Sequence, residues 1–145
     1  MNYDSKDEQA LMTEIWDPAI ADDLEKFVLF VYPWGKEGTP LERFKGPRTW
    51  QRDELQAKTE HIKRNRLRME MGQDPAMWRG AKGSGRGIGK SALVSWETHW
   101  MASTRLGSTT IVTANTETQL KTRTFAEITK WNTLALNGHW FETTV

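Results

Sequence analysis

One stretch of this 145-residue sequence decides the expected fold, Gly83-Ser84-Gly85-Arg86-Gly87-Ile88-Gly89-Lys90-Ser91. Its second half matches the end of the Walker A pattern, a glycine-rich loop that closes on Gly-Lys-Ser or Gly-Lys-Thr. Glycines let the backbone turn its N–H groups inward around a phosphate, where a side chain would collide. A helix that follows such a loop points its positive N-terminal end at the same anion. The stretch therefore predicts a loop that binds the phosphates of a nucleoside triphosphate.

The last two residues of this stretch have predicted roles of their own. We expect Lys90 to reach the β- and γ-phosphates and to assist catalysis, and the Ser91 hydroxyl to ligate Mg²⁺. The strict pattern places a glycine at position 84, where this chain has a serine between two glycines. The other expected nucleotide-binding residues are those of the loop, namely Ser84, Gly85, Arg86, Gly87, Ile88 and Gly89.

The segments around the loop alternate between helix and strand patterns. Caps and apolar periodicity predict helices over residues 17–31, 49–71, 91–105 and 116–136. Short β-rich runs predict strands over residues 77–82, 109–114 and 140–145. Because strands alternate with helices after a phosphate loop, we expect an α/β fold, a P-loop NTPase of the ASCE type with a parallel sheet flanked by helices. Residues 1–16 would form an acidic N-terminal arm and residues 17–145 a partial P-loop ATPase domain.

The net charge of +1 conceals an uneven distribution of charge along the chain. Residues 1–42 contain three Lys/Arg against ten Asp/Glu, whereas residues 43–90 contain thirteen against five. A basic middle attracts nucleic acid or nucleotide phosphates. Alternatively, the acidic and basic parts neutralise each other across the fold, and the sequence leaves both interpretations open.

Composition excludes several kinds of site. The chain has no cysteine, so neither a disulfide nor a thiolate metal site exists. Its three histidines lack the spacing of paired metal ligands. The N-terminus lacks the basic and apolar regions of a signal peptide, and the longest apolar run, from Phe27 to Tyr32, is too short to span a bilayer. We expect a cytoplasmic protein without membrane contact.

Four features of the sequence occur in a fixed order. They are Tyr32-Pro33-Trp34-Gly35 with Gly46-Pro47-Arg48-Thr49-Trp50-Gln51-Arg52-Asp53-Glu54-Leu55, then Ser84-Gly85-Arg86-Gly87-Ile88-Gly89-Lys90-Ser91, then Thr110-Ile111-Val112-Thr113-Ala114-Asn115-Thr116-Glu117-Thr118-Gln119-Leu120, and finally Glu127-Ile128-Thr129-Lys130-Trp131. Together they resemble the ATPase domain of the large terminase subunit, the motor that packages DNA into tailed-phage capsids. That family often lacks the first Walker glycine and carries an arginine inside the loop, as here.

The resemblance implies roles for three further side chains. Gln51 would hydrogen-bond the edge of the adenine, Trp50 would pack near the base, and Arg86 would contact the γ-phosphate. From the residues alone, Gln51 equally fits the first turn of a helix, Trp50 a core position and Arg86 an exposed loop position. These alternatives stay open.

The resemblance also implies cofactors and partners, which are ATP with Mg²⁺, double-stranded viral DNA, the terminase small subunit, the capsid portal and a homo-oligomeric ring. No apolar strand followed by Asp-Glu occurs in the sequence, so hydrolysis would lack its base, and the nuclease domain of the family is also missing. We expect an N-terminal part of the motor that binds ATP and turns it over poorly or not at all. The alternatives are a helicase-like or other P-loop ATPase, or a non-catalytic piece that retains the loop.

Overall fold

The computed structural model describes residues 4–87 and 89–144. All regular secondary structure among these residues is helical. None of these helices is both long enough and apolar enough to cross a membrane. In chain order they are α1 (Ser5–Ile15), α2 (Pro18–Ala21), α3 (Leu24–Val31), α4 (Thr49–Glu70), α5 (Lys90–Thr104), α6 (Glu117–Gln119) and α7 (Ala126–Leu134). A π-helical stretch, Leu120–Phe125, joins α6 to α7, and a 3-10 turn covers Gly138–Trp140.

The predicted α/β fold with a parallel sheet is wrong, because 58% of the chain is helical and none of the described residues forms a strand. Residues 77–82 and 109–114 are irregular, and no backbone–backbone hydrogen bond joins either segment to another part of the described chain. A strand exists only where a neighbouring backbone pairs with it, so β-rich composition does not suffice. The third predicted strand spans residues 140–145, but Trp140 ends a 3-10 turn that begins at Gly138, and residues 141–144 form no strand. Val145 lies outside the described residues.

The helix predictions fare better. The helices predicted over 49–71 and 91–105 are confirmed as α4 and α5. The helix predicted over 17–31 divides into α2 and α3, because the Asp23 carboxylate accepts a hydrogen bond from the Lys26 N–H at 3.0 Å and so caps a new helix. The helix predicted over 116–136 begins where expected, with the Thr116 hydroxyl accepting from the Gln119 N–H at 3.1 Å. It then contains the π-helical stretch and ends at Leu134.

A cluster of aromatic rings forms the centre of the core. Trp96 of α5, which is 2% exposed, meets the ring of Trp131 from α7 at 5.1 Å and the ring of Trp34 at 5.8 Å, both edge to face. Tyr32 contacts Trp131 in the same way at 5.0 Å. Burial of these large rings fixes α5 and α7 against the chain that follows α3.

The segment of residues 73–82, which we call the strap, runs back along α4 towards its start. Its contacts descend the helix step by step: Arg68 with Asp74, Asn65 with Ala76, His61 with Trp78, and Glu54 with Lys82. Asn65 holds both backbone groups of Ala76, donating to its carbonyl at 2.9 Å and accepting from its N–H at 2.8 Å. The strap therefore runs antiparallel to α4 and ends near its first turns. Side chains of α4 hold it in place, whereas the sequence predicted that part of it would be a strand of a sheet.

Ion pairs join the acidic first part of the chain to its basic middle. Arg52 of α4 pairs with Glu25 of α3 at 2.6 Å, and Arg66 of α4 pairs with the buried Asp22. Asp22 also pairs with Arg105 at 2.8 Å, just after α5. Part of the basic character of α4 is therefore neutralised within the fold.

A buried polar chain links α5 to the turn that follows α7. The His99 Nε2 lies 2.7 Å from the Asn137 Oδ1, and the Asn137 amide donates to the Ser103 hydroxyl at 2.9 Å. All three residues are buried, and His99 also packs against the ring of Phe27. Burial lowers the pKa of His99 from its ordinary value of 6.5, and the hydrogen bond to Asn137 opposes this effect only in part.

The lowered pKa of His99 predicts a loss of stability on acidification. Below its ordinary pKa of 6.5 the unfolded chain binds a proton that the folded chain resists, so the free energy of unfolding should fall as the pH drops through and below that value. His99→Gln keeps a donor for Asn137 and does not titrate. Its unfolding free energy should therefore fall less between about pH 7 and about pH 5, as measured by urea unfolding at each pH. The same pH dependence in both chains would contradict the assignment.

Candidate nucleotide-binding site

The glycine loop, residues 83–89, lies between the end of the strap and the first turn of α5. Gly87 and Gly89 have φ angles of +75° and +94°, a region that side chains disfavour. At Gly83 and Gly85 a Cβ would meet no atom within 4 Å, and neither has a positive φ. The loop conformation therefore requires its last two glycines. The predicted binding residue Ile88 lies outside the described residues.

Helix α5 begins at the end of this loop without a side-chain cap. Gly89 is the N-cap residue, and no side chain accepts a hydrogen bond from the first turn in the described structure. The first N–H groups of a helix have no partner within it, and the helix dipole adds a positive potential there. The start of this 15-residue helix is therefore suited to an anion.

Two side chains from the start of α4 hold the carbonyl groups of the loop. The Arg48 guanidinium donates to the Gly87 carbonyl at 3.2 Å, and the Gln51 amide donates to the Gly89 carbonyl at 2.8 Å. The same Gln51 amide accepts from the Arg48 N–H at 2.8 Å, and Gln51 is 3% exposed. Because these carbonyls are bonded to α4, the backbone of the loop is fixed on one side by protein contacts.

The charged side chains of the loop are placed differently from one another. The Lys90 ammonium donates to the Ser84 carbonyl at 2.9 Å, so it bonds to the loop itself. Arg86 is exposed and makes no hydrogen bond or ion pair with any described residue. Ser91 is exposed, and its carbonyl accepts from the Ser95 hydroxyl at 2.8 Å. Lys90 and Ser91 are the first two residues of α5.

A cleft of about 320 Å³, which we call the aromatic cleft, adjoins the loop at Gly89 and Gln51. Its walls come from the connector before α4, from α5 and from α7, and they include Trp34, Leu41, Phe44, Trp96 and Trp131. Gly46, Pro47, Arg48 and Lys130 also line it. Residues from three of the four segments quoted in order from the sequence, 32–35 with 46–55, 84–91 and 127–131, therefore meet at this cleft. The other one, residues 110–120, contributes instead to a separate apolar cavity of about 510 Å³ between α4 and α5.

A second cleft, of about 440 Å³, lies between α4, the strap and α5, and we call it the charged cleft. It is lined by Trp50, Glu54, Lys58, Trp78, Lys82, Lys90 and Glu97, among others. Four of these residues form two ion pairs, Lys82 with Glu54 at 2.6 Å and Lys58 with Glu97. Trp50, which packs partly buried against the core, thus lines a different cleft from Gln51.

The described residues contain no group of three or more His, Asp or Glu side chains that would hold a metal ion unaided. A Mg²⁺ ion here would depend on the Ser91 hydroxyl, on water and on the phosphates of a bound nucleotide. This arrangement is common for Mg²⁺, which retains much of its water and relies on phosphate oxygens.

Sequence reasoning missed the role of Arg48 in this site. Its guanidinium contacts a backbone carbonyl 39 residues away, and such a contact imposes no side-chain type or spacing on the sequence. Only the position of Arg48 immediately before α4, three residues ahead of Gln51, offers a signal after the fact.

The conformation of Gly89 predicts a large effect of adding a methyl group there. A Cβ at Gly89 would lie 2.4 Å from the Gln51 Nε2, and the residue would keep its unfavourable φ of +94°. Gly89→Ala should therefore lower the free energy of unfolding by about 1–3 kcal/mol. Gly83→Ala, with open space around its Cβ, is the matched control and should change it by less than about 0.5 kcal/mol. Urea unfolding measures both; equal values would show that the loop is not held against Gln51.

No protein-family model, no curated protein and no solved structure matches this chain. The glycine loop with its two tethers, the uncapped start of α5 and the aromatic cleft are therefore the observations from which a function is inferred.

Proposed function

We propose that the glycine loop and the aromatic cleft together bind Mg²⁺-ATP, and that the chain is the ATP-binding part of a DNA-packaging motor of the terminase large-subunit type. One observation carries this proposal. Three of the four segments that resemble that family, far apart in the chain, line one cleft that ends at the glycine loop. The cleft thus joins an aromatic wall to the glycine loop, which is the combination that a base and its phosphates require.

The phosphates would lie at the start of α5. The N–H groups of its first turn supply hydrogen bonds to an anion, and the Lys90 ammonium supplies a charge once it leaves the Ser84 carbonyl. Arg86, exposed in the same loop, would contact the γ-phosphate, and Ser91 would ligate the Mg²⁺ ion. Lys90 and Arg86 would also stabilise the charge that develops on the phosphate during transfer.

The base would lie in the aromatic cleft. A purine is flat and largely apolar, and it gains most from contact with rings such as Trp34 and Phe44. The volume of about 320 Å³ falls within the range of small-ligand sites, and Gln51 and Gly89 line both the cleft and the loop. A nucleotide with its base here would reach the loop with its phosphates.

As part of a DNA-packaging motor, the chain would act with double-stranded DNA, with further copies of itself in a ring, with the small terminase subunit and with the capsid portal. The basic side chains that α4 leaves without an ion pair, such as Arg64, offer charge for a DNA backbone. Nucleotide binding at the loop would shift the contacts of the strap and of α5, and a motor transmits such shifts to DNA.

Lys90→Ala should weaken binding of Mg²⁺-ATP at least about tenfold in isothermal titration, because the ammonium supplies a charge-assisted contact to the phosphates. Lys121→Ala is the matched control, because Lys121 lies in the π-helical stretch, does not line the aromatic cleft and forms an exposed ion pair with Glu117 one turn earlier. The control should bind like the parent. Equal affinities of the parent and Lys90→Ala would overturn the proposed site.

A further inference from the structure

Gln51 is a buried side chain whose amide is occupied at both ends by backbone groups. Its oxygen accepts from the Arg48 N–H and its nitrogen donates to the Gly89 carbonyl, each at 2.8 Å. One partner is a donor and the other an acceptor, so the amide has one favourable orientation and is not free to flip. Gln51 therefore joins the start of α4 to the start of α5.

The contact with Gly89 is also tight. The Gln51 Nε2 lies 2.4 Å from the position that a Cβ of Gly89 would take, too close for a side chain there. Gly89 is the N-cap of α5, so whatever fixes its carbonyl also fixes the direction of the first N–H groups of that helix. Two residues earlier, Arg48 holds the Gly87 carbonyl in the same way. Side chains at the start of α4 therefore fix the positions of two backbone carbonyl groups of the loop.

A residue that recognises the base would direct an amide end into the aromatic cleft. In Gln51 both ends already bond to the backbone, and the side chain is 3% exposed. Turning the amide far enough to present its remaining N–H or lone pair to a base would break one of these bonds and leave a buried polar group without its partner. A positioning role retains both bonds.

We propose that Gln51 is a positioning residue that holds the glycine loop in its phosphate-binding conformation, and that the base is recognised by other groups. The inference rests on the proposed nucleotide site. It implies that Gln51 contributes equally to the binding of any ligand with the same phosphates, whatever base that ligand carries. The tether to Gly89 joins two groups of the protein itself, so its effect on the loop is measurable in the ligand-free chain.

Gln51→Glu tests the tether, because a carboxylate still accepts from the Arg48 N–H but no longer donates to Gly89. Amide hydrogen exchange of residues 84–93, measured without ligand by mass spectrometry, should become at least about tenfold faster. Gln56→Glu makes the same change on the same helix, where the amide contacts Glu25, and should leave this exchange unchanged. Unchanged exchange in Gln51→Glu would overturn the inference.

Arg48→Ala provides a second variant, because Arg48 is exposed and its loss leaves no cavity. It removes the tether to Gly87 and should accelerate exchange in the same peptide to a smaller extent. If Gln51→Glu fails to fold, exchange in Arg48→Ala decides whether α4 holds the loop, and a rate equal to that of the parent counts against it.

Binding of inorganic tripolyphosphate, ATP and GTP then separates positioning from base recognition. Gln51→Glu should lose about tenfold in affinity for all three ligands, with the ratio of ATP to GTP affinity unchanged. A lost preference between ATP and GTP, with tripolyphosphate affinity retained, would overturn the inference and assign Gln51 to the base. A parent chain that binds none of the three would instead overturn the proposed nucleotide site, and the exchange rates would still decide whether Gln51 holds the loop.

Discussion

The hydrogen bond from the Gln51 amide to the Gly89 carbonyl joins two helices at the point where the candidate site lies. It gives the positive φ of Gly89 a structural reason and sets the start of α5. The strap leads to this point because its contacts descend α4 from Arg68 to Glu54. The aromatic cleft adjoins this hydrogen bond, since Gln51 and Gly89 both line the cleft. The loop, the end of the strap and the cleft therefore all lie near the contact between Gln51 and Gly89.

Local signals in the sequence predict the helices on either side of the candidate site. The helices α4 and α5 follow from their caps, their periodicity and the glycines around them, and the glycine loop follows from its spacing. The predicted sheet failed because a strand depends on a partner that local sequence does not specify. Residues 77–82 follow α4 through side-chain contacts such as Asn65 with Ala76, and in residues 109–114 Ile111 is 83% exposed. Likewise, only the fold reveals that neighbouring residues Trp50 and Gln51 line different clefts.

The aromatic cleft and the core share side chains, so a ligand bound in the cleft would also affect the stability of the fold. Trp96 and Trp131 meet edge to face in the core and also line the cleft beside the loop. A ligand stacked there would stabilise the same packing that holds α5 against α7. Rings fixed in this way form a cleft that is already shaped before a ligand arrives, which lowers the entropic cost of binding.

The most direct test of a shared base and phosphate site is an NMR titration of the chain with Mg²⁺-ATP. It would follow the backbone amides of Gly89, Lys90 and Ser91 together with the indole N–H of Trp34, which donates to the Val28 carbonyl at 3.0 Å. The account predicts that the resonances of both groups shift and saturate at the same ATP concentration. Shifts confined to exposed lysines, or an unchanged Gly89 amide at saturating ATP, would contradict it.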